Sequence, residues 1–537
     1  MEKRSRDEYW RNDNNISYPF IDHIVKAYAP AIKRDRNIKY TNMELFRHAM
    51  THRSCIEAGI TNYSYERLEY LGDAIFHLII TTYLYNRYDE ECEGFLTKLR
   101  IRLERGKTMA DLSRNLSLDV FVQLSGINCN DHVLEDIFEA FIGAFYLNYG
   151  KKYTEMLIIS IIEKHICLPH IIYRDDNFKD VLLRYFHQMG WEYPKYHVKK
   201  NMTDEGSVEL TGYVKKHDNT IMGKAVGTSK KDAEQMASKD ALTRLGVVID
   251  GIVDQGWING IDAKEKQIKI KKKDKKNISI YNPSNIKTNK ADVVNLLKKY
   301  SIVIPAGTVV SNYRLFQEAM THRSYLKNTK LTDFDKEFAK NCVKLQSKAN
   351  DRLQFLGDTV YHFVIGEHLY QKYPDKDEGF LTRLRAKLEN REALFNLSKK
   401  TGVSDHVLIN SFIELNHKRD NHNIMARAFD AFIGAIYLEL GFDLAKKYIM
   451  NVVDTEIDIT EISAKDTNYK ELILRLFNQN RWGQPKYKIL DRTGPDHEIV
   501  FTMGLYRGNK LLSSGTAKSK KKAEQLASMQ LYASHCQ

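Results

Sequence analysis

The chain is written twice, and any fold it takes must therefore occur twice. Tyr65-Glu66-Arg67-Leu68-Glu69-Tyr70-Leu71-Gly72-Asp73 returns as Asn350-Asp351-Arg352-Leu353-Gln354-Phe355-Leu356-Gly357-Asp358, and Glu93-Gly94-Phe95-Leu96-Thr97 returns as Glu378-Gly379-Phe380-Leu381-Thr382. A third block, Glu135 to Ala144, returns as Ala426 to Ala435. The copies differ in charge, since Gln354 stands for Glu69 and Arg427 for Asp136. Charge kept in one copy and lost in the other points to a chemical task done in one copy only.

A chain of 537 residues has room for about three to five domains, each with its own core. Segments such as Met43 to Met50 and Ile75 to Leu84 carry apolar residues at helical spacing, and the pattern holds to about residue 170. Past Asp176 it changes to a short helix (Phe178 to Met189), strand-like stretches at Tyr196 to Lys199, Ser207 to Lys215 and Thr220 to Val226, and a helix from Lys230 to Leu245. The same succession returns from Tyr469. The expected fold class is α+β multidomain, with two all-helical domains and two α-β-β-β-α domains. The expected division is a polar tail over 1–20, a helical domain over 21–172, an α-β-β-β-α domain over 176–246, a basic linker over 247–290, a second helical domain over 291–462 and a second α-β-β-β-α domain over 466–537. Ser54 to Glu66 spans 12 positions but Ser324 to Asp351 spans 27. The extra residues, around Asn328 to Lys348, are rich in Lys, Asp and Asn and are expected as a surface loop.

A net charge of +13 and a pI near 9.1 favour a polyanionic partner. No run of ~18 apolar residues is present, and the charged N-terminus has no apolar segment behind it, so neither a membrane span nor a secretory signal is expected. The six cysteines show no C-x-x-C pair, which suits reduced thiols in an intracellular protein, cytoplasmic or nuclear.

Glu66, Glu69 and Asp73 project from one face of a helix, and Asp136 and Glu139 do the same on another. Stacked carboxylates repel. Acids flanking the apolar Leu68, Leu71, Ile137 and Phe138 have a reason to cluster if cations compensate them, and hard oxygen ligands suit Mg²⁺, with Mn²⁺ as a substitute. Two such ions about 4 Å apart would activate a water and stabilise the leaving oxygen of a phosphodiester.

The segment Glu66 to Asp73 resembles the signature helix of the ribonuclease III family. Thr51-His52-Arg53-Ser54 before it, Glu93 to Thr97 after it and Asp136 to Ala140 are similar to the family's other blocks, in order. The resemblance implies that Glu69, Asp73, Asp136 and Glu139 bind metal, with Asp73 and Glu139 central to catalysis and Glu66 and Glu93 as supporting acids. It further implies that Gly72 serves close helix approach and that Tyr70 is an aromatic knob inserted into a partner domain. His52 and Arg53 are read as structural. In the second copy the corresponding set is Asp351, Gln354, Asp358, Glu378, Arg427 and Asp430. A neutral amide and a guanidinium at ligand positions make that site degenerate, while Phe355 keeps the knob.

The two α-β-β-β-α units resemble double-stranded RNA-binding domains. Lys230 and Lys231 in one, Lys520 and Lys521 in the other, start the last helix behind a serine, where the helix dipole and free N–H groups favour phosphate. His497 in Gly494-Pro495-Asp496-His497 matches a loop that reaches the RNA minor groove, and Gly206 takes its place in the first unit. First-helix contact positions are altered to Leu183 and Arg184 in one unit and Leu474 and Arg475 in the other, so A-form shape is the expected feature read. The whole implies a Mg²⁺-dependent endoribonuclease of double-stranded RNA with one working site, paired as an intramolecular pseudo-dimer or a homodimer. The rival is a non-catalytic double-stranded RNA-binding protein that sequesters RNA or scaffolds a ribonucleoprotein.

Overall fold

The computed structural model describes residues 19–35, 42–168, 171, 178–202, 208–249, 252–253, 279–302, 313–327, 335, 339–416, 419–464, 469–494 and 499–535. Residues up to Thr455 form one compact unit and those from Glu456 a second. In the first repeat the signature segment opens helix α1, Glu66–Arg87, followed by α2, Glu93–Leu103, α3, Gly106–Asn115, and α4, Asp131–His165. Helix α1 is buried almost all round, as a helix apolar on every side must be. One side packs on α4, with Phe76 edge-on to Phe138, and the other faces the second repeat. Helix α4 breaks at Gly150, whose φ of 73° suits a residue without Cβ.

An α-β-β-β-α domain follows: α5, Phe178–Gln188; β1, Lys195–Met202; β2, Val208–Lys215; β3, Ile221–Gly227; and α6, Lys230–Arg244. The strands form an antiparallel sheet in the order β1-β2-β3. Both helices cover one face of it, enclosing Leu182, Phe186, Val214 and Leu242.

The second repeat rebuilds the first with α7, Asp351–Lys372, α8, Glu378–Glu389, α9, Arg391–Thr401, and α10, His422–Leu440. Tyr361 and Phe429 meet edge-on where Phe76 and Phe138 do. Two expectations need correction here. The linker expected through residue 290 ends earlier, because Ser279, Tyr281 and Asn282 are buried and Asn282 donates to the Ile409 carbonyl and to Glu414. Nor is the insertion only a surface loop: Leu345, with Cys342 and Val343 beside it, joins Tyr281, Tyr325 and Leu408 in a satellite core, and buried Asp335 accepts from Ser279 and the Ile280 amide. Each of these segments buries the other's apolar residues, which neither composition alone reveals. Most of the basic linker and the polar N-terminal tail lie outside the described residues.

The two repeats pair within the chain across α1 and α7. Arg67 donates to the carbonyls of Tyr370, Tyr373 and Lys376, and Arg352 donates to those of Tyr85, Tyr88 and Glu91. Tyr70 lies under the Arg385 guanidinium at 4.3 Å, and Phe355 lies under that of Arg100 at 4.6 Å. The contacts come in matched pairs, which describes an approximate two-fold axis. A charged hydrogen bond contributes about 1.5–3 kcal/mol, so the two arginines alone hold the pair firmly.

The C-terminal unit has α11, Tyr469–Gln479, β4, Lys486–Thr493, β5, Val500–Arg507, β6, Lys510–Ala517, and α12, Lys520–His535. Its core holds Ile473, Phe477, Leu505 and Leu531. Lys470 pairs with Glu524 at 2.6 Å, as Lys179 pairs with Glu234 in the earlier domain. Among the described residues no helix is long and apolar enough to cross a membrane.

Candidate active site

The site of the first repeat is built where α1 meets α4. Gly72 permits the approach: a Cβ there would lie 1.8 Å from the Glu139 carbonyl oxygen, and the matching Cβ on Gly357 would lie 1.7 Å from that of Asp430. Only glycine lets the acids of the two helices come this close. Beside them opens a cavity of about 720 Å³ whose walls include His52, Arg53, Tyr65, Glu66, Glu69, Asn130, His132, Asp136 and Glu378. Asp73 and Glu139 do not line it but act on it electrostatically, and Glu139 is buried.

Burial raises the Glu69 pKa, and the charges of Asp136, Glu378, Glu66 and Asp73 push it further, to about 9. Glu139 is pushed well above the carboxylate range by burial, then by Asp73, Glu69, Glu135 and Asp136. Burial raises Asp136 also, against a hydrogen bond from the Tyr65 hydroxyl at 2.8 Å. Asp73 differs. Burial acts to raise it, but His362 and Arg385 of the second repeat, with oxygens 3.9 and 3.8 Å from their nitrogens, outweigh this and hold it low. Too many negative charges share too little solvent, and the donor atoms are hard oxygens. His132, Glu135 and Asp136 bring three ligand atoms within 4.8 Å of one another. The residues present therefore fit divalent cations.

Several placements differ from expectation. Glu378, assigned to the second site, stands on the wall of the first, and Glu93, assigned to the first, is absent from that wall and accepts from Thr97. Pairing explains the placement of Glu378, because α8 of the second repeat reaches across to the cavity of the first. His52 and Arg53, read as structural, line the cavity, and Arg53 lies 3.5 Å from Glu66. Tyr65 and His132 were not singled out in the sequence. Tyr65 directly precedes the signature acids, but nothing local shows that its hydroxyl reaches Asp136.

In the second repeat Arg427 lies 3.4 Å from Asp351. Asp430 is buried, with one carboxylate oxygen unpartnered, and burial and Asp358 push its pKa well up. At the RNA-binding units, Ser229 caps α6 by accepting from the Asp232 amide, and Ser519 accepts from that of Lys522. Lys230, Lys231, Lys520 and Lys521 are exposed. Lys231 also lines a cavity with Arg102, Arg105 and Lys107 of the first repeat. His497, Gly206 and the side chains of Arg184 and Arg475 lie outside the described residues.

This arrangement has known counterparts. Residues 66–150 match the ribonuclease III domain, residues 312–456 the ribonuclease-III-like family, and residues 178–245 and 469–535 the double-stranded RNA binding motif. Over 530 residues the chain is 51% identical to a "Probable ribonuclease 3" of Acanthamoeba polyphaga mimivirus, covering 98% of each. It is 34% identical over 217 residues to "Ribonuclease 3" of Borreliella burgdorferi, covering 40% of this chain and 83% of that one. A solved nuclease domain of ribonuclease III from Campylobacter jejuni is 28% identical, with 31% of this chain and 98% of that one covered and a TM-score of 0.25. The chain belongs to the ribonuclease III family and is an endoribonuclease of double-stranded RNA.

Proposed function

We propose that the first repeat cuts and the second holds. Glu69, Asp73, Asp136 and Glu139 would bind Mg²⁺, with Glu66 and the cross-repeat Glu378 as nearby acids. The bound ions would supply a water-derived nucleophile at neutral pH and neutralise charge at the attacked phosphorus. The observation that carries this reading is the uncompensated acid cluster around Glu69 and Glu139.

The chain's own groups prepare the site. Tyr65 orients Asp136 and His132 lies 3.3 Å from its other oxygen. Arg53 beside Glu66 offers a guanidinium on the cavity wall, suited to a strand phosphate. Across the pair, His362 bonds Glu389 at 3.0 Å and faces Asp73, so the second repeat orients a ligand of the first. The domains over 178–245 and 469–535 hold the duplex by shape and phosphate.

A single chain then has one working site and cuts one strand per binding event. Single-turnover cleavage of a duplex labelled separately on each strand, with the mass of the complex measured by sedimentation, tests this. Cutting of both strands at equal rates by a monomer would overturn the reading.

A further inference from the structure

The second repeat has a cavity of about 310 Å³ lined by His322, Arg323, Arg391, Asn423, Ile424 and Arg427. By the duplication these positions answer to His52, Arg53, Gly106, His132, Val133 and Asp136 of the first repeat. The substitutions are coordinated. In the first repeat a Cβ on Gly106 would lie 2.4 Å from a carboxylate oxygen of Glu135, so a side chain there would push that carboxylate aside. In the second, Ala426 stands for Glu135, which empties that space, and Arg391 stands for Gly106 on the cavity wall. With Gln354 for Glu69 and Arg427 for Asp136, three acids are gone and two guanidinium groups have arrived. A site that merely decays would lose acids without gaining cations at two positions facing the same space.

The electrostatics favour an anion. Asp351 lies 3.4 Å from Arg427, and Arg391 and Arg427 both act on the buried Asp430, but no salt bridge to Arg323 or Arg391 is found among the described residues. His322 accepts from the Ser324 amide at Nδ1, leaving Nε2 to carry the proton as a neutral donor. Like-charged guanidinium groups around one cavity repel until a phosphate joins them, and their planar forks suit its oxygens. An antiparallel duplex has local two-fold axes, so if one strand's phosphate enters the first cavity, the axis relating the repeats carries a phosphate of the other strand to the second.

We propose that the cavity of Arg323, Arg391 and Arg427 is a metal-independent clamp for an internal phosphodiester of the strand that the first site leaves uncut. This rests on the reading that the duplex lies across both repeats.

The test uses the full chain carrying Glu139→Gln, in EDTA, with a blunt duplex RNA bearing 5′-hydroxyl ends. Arg323→Gln with Arg391→Gln should weaken binding roughly tenfold and lower the salt slope by about one to two, as loss of one or two phosphate contacts does. A neutral methylphosphonate scanned along one strand should weaken the parent at one internal linkage and leave the variant unaffected there. Arg323→Lys with Arg391→Lys should keep most of the slope, which separates charge from misfolding, and an unchanged melting temperature checks the same point. Equal affinity and slope in parent and Gln variant would overturn the clamp, as would a loss seen only with 5′-phosphate ends or only with Mg²⁺. Strand-specific cleavage by the wild-type chain, with Glu139 intact, tests the catalytic reading separately, so failure of one is distinguishable from failure of the other.

Discussion

At the first cavity Gly72 lets α1 touch the Glu139 backbone, and at the second Gly357 lets α7 touch the Asp430 backbone at nearly the same distance. The knobs match too, with Tyr70 and Phe355 each under an arginine of the opposite repeat. Around this common frame, which includes Arg53 in one wall and Arg323 in the other, the charges diverge, for one cavity adds Glu66, Glu69, Asp136 and Glu378 and the other Arg391 and Arg427. Close helix approach and apolar packing maintain the fold, and in the function we propose the acids carry the chemistry. Because different atoms serve the two ends, acids at Glu69 and Asp136 can be replaced by Gln354 and Arg427 in the second repeat without loss of its shape.

The sharpest way to break the comparison is to remove matching acids. Glu139→Gln should lower cleavage by more than the ~100-fold that loss of an outer-shell partner causes, with duplex binding kept within a few-fold. The matched Asp430→Asn should leave cleavage near the wild-type rate. Equal losses in single-turnover assays would mean that both cavities cut.

Next in size is the contrast between α2 and α8. Glu378→Gln should cost about 10- to 100-fold in cleavage, in the range of outer-shell changes at metal sites, and Glu93→Gln should cost little. If Glu93 proves the more sensitive, the pairing observed within one chain is not the pairing that cuts.

A smaller effect compares lysines. Lys520→Ala with Lys521→Ala should weaken binding to all duplexes alike and lower the salt slope by about one to two. An unchanged slope would show that the start of α12 faces away from RNA. The same change at Lys230 and Lys231 is expected to matter less, since the first unit lacks a counterpart of His497.

The helices and both three-stranded sheets were legible because helical spacing and strand alternation are local signals. The described strand β1, Lys195–Met202, runs past the expected Tyr196 to Lys199 at both ends. What escaped is what pairing creates. Glu93 and Glu378 look equivalent in sequence, and only the axis between α1 and α7 decides which cavity each helix reaches. His52 and Arg53 carry no sign of their distant neighbours, and Gly106 reveals its meaning only against Glu135. The insertion looked like a loop because its charged residues outnumber Leu345 and Val343, the ones that pack.

The finest contrast between the cavities is in protons. Folding raises the pKa of Glu69 to about 9 through burial and then its acidic neighbours, so the folded metal-free protein holds this proton more tightly than the unfolded chain, whose value is ~4.3. Stability is then full below the unfolded value and declines as pH rises toward about 9. His362 acts in the same sense: burial lowers its pKa, but the carboxylates of Asp73, 3.9 Å away, and Glu389, hydrogen-bonded at 3.0 Å, win and raise it to about 9, so its contribution is full below ~6.5 and lost above about 9. In the proposed site Mg²⁺ is held by the ionised Glu69 carboxylate, and on that reading affinity should climb with pH up to about 9 and each binding event should release protons. Calorimetry in buffers of different ionisation enthalpy would count them, and Mg²⁺ should raise the melting temperature more at about pH 8.5 than at pH 6.5. Glu69→Gln, which gives the first cavity the residue already present as Gln354, should remove most of that proton release and flatten the pH dependence of metal-free stability. Proton release unchanged in that variant would place the shared proton elsewhere in the cluster, with Glu139 as the next group to replace.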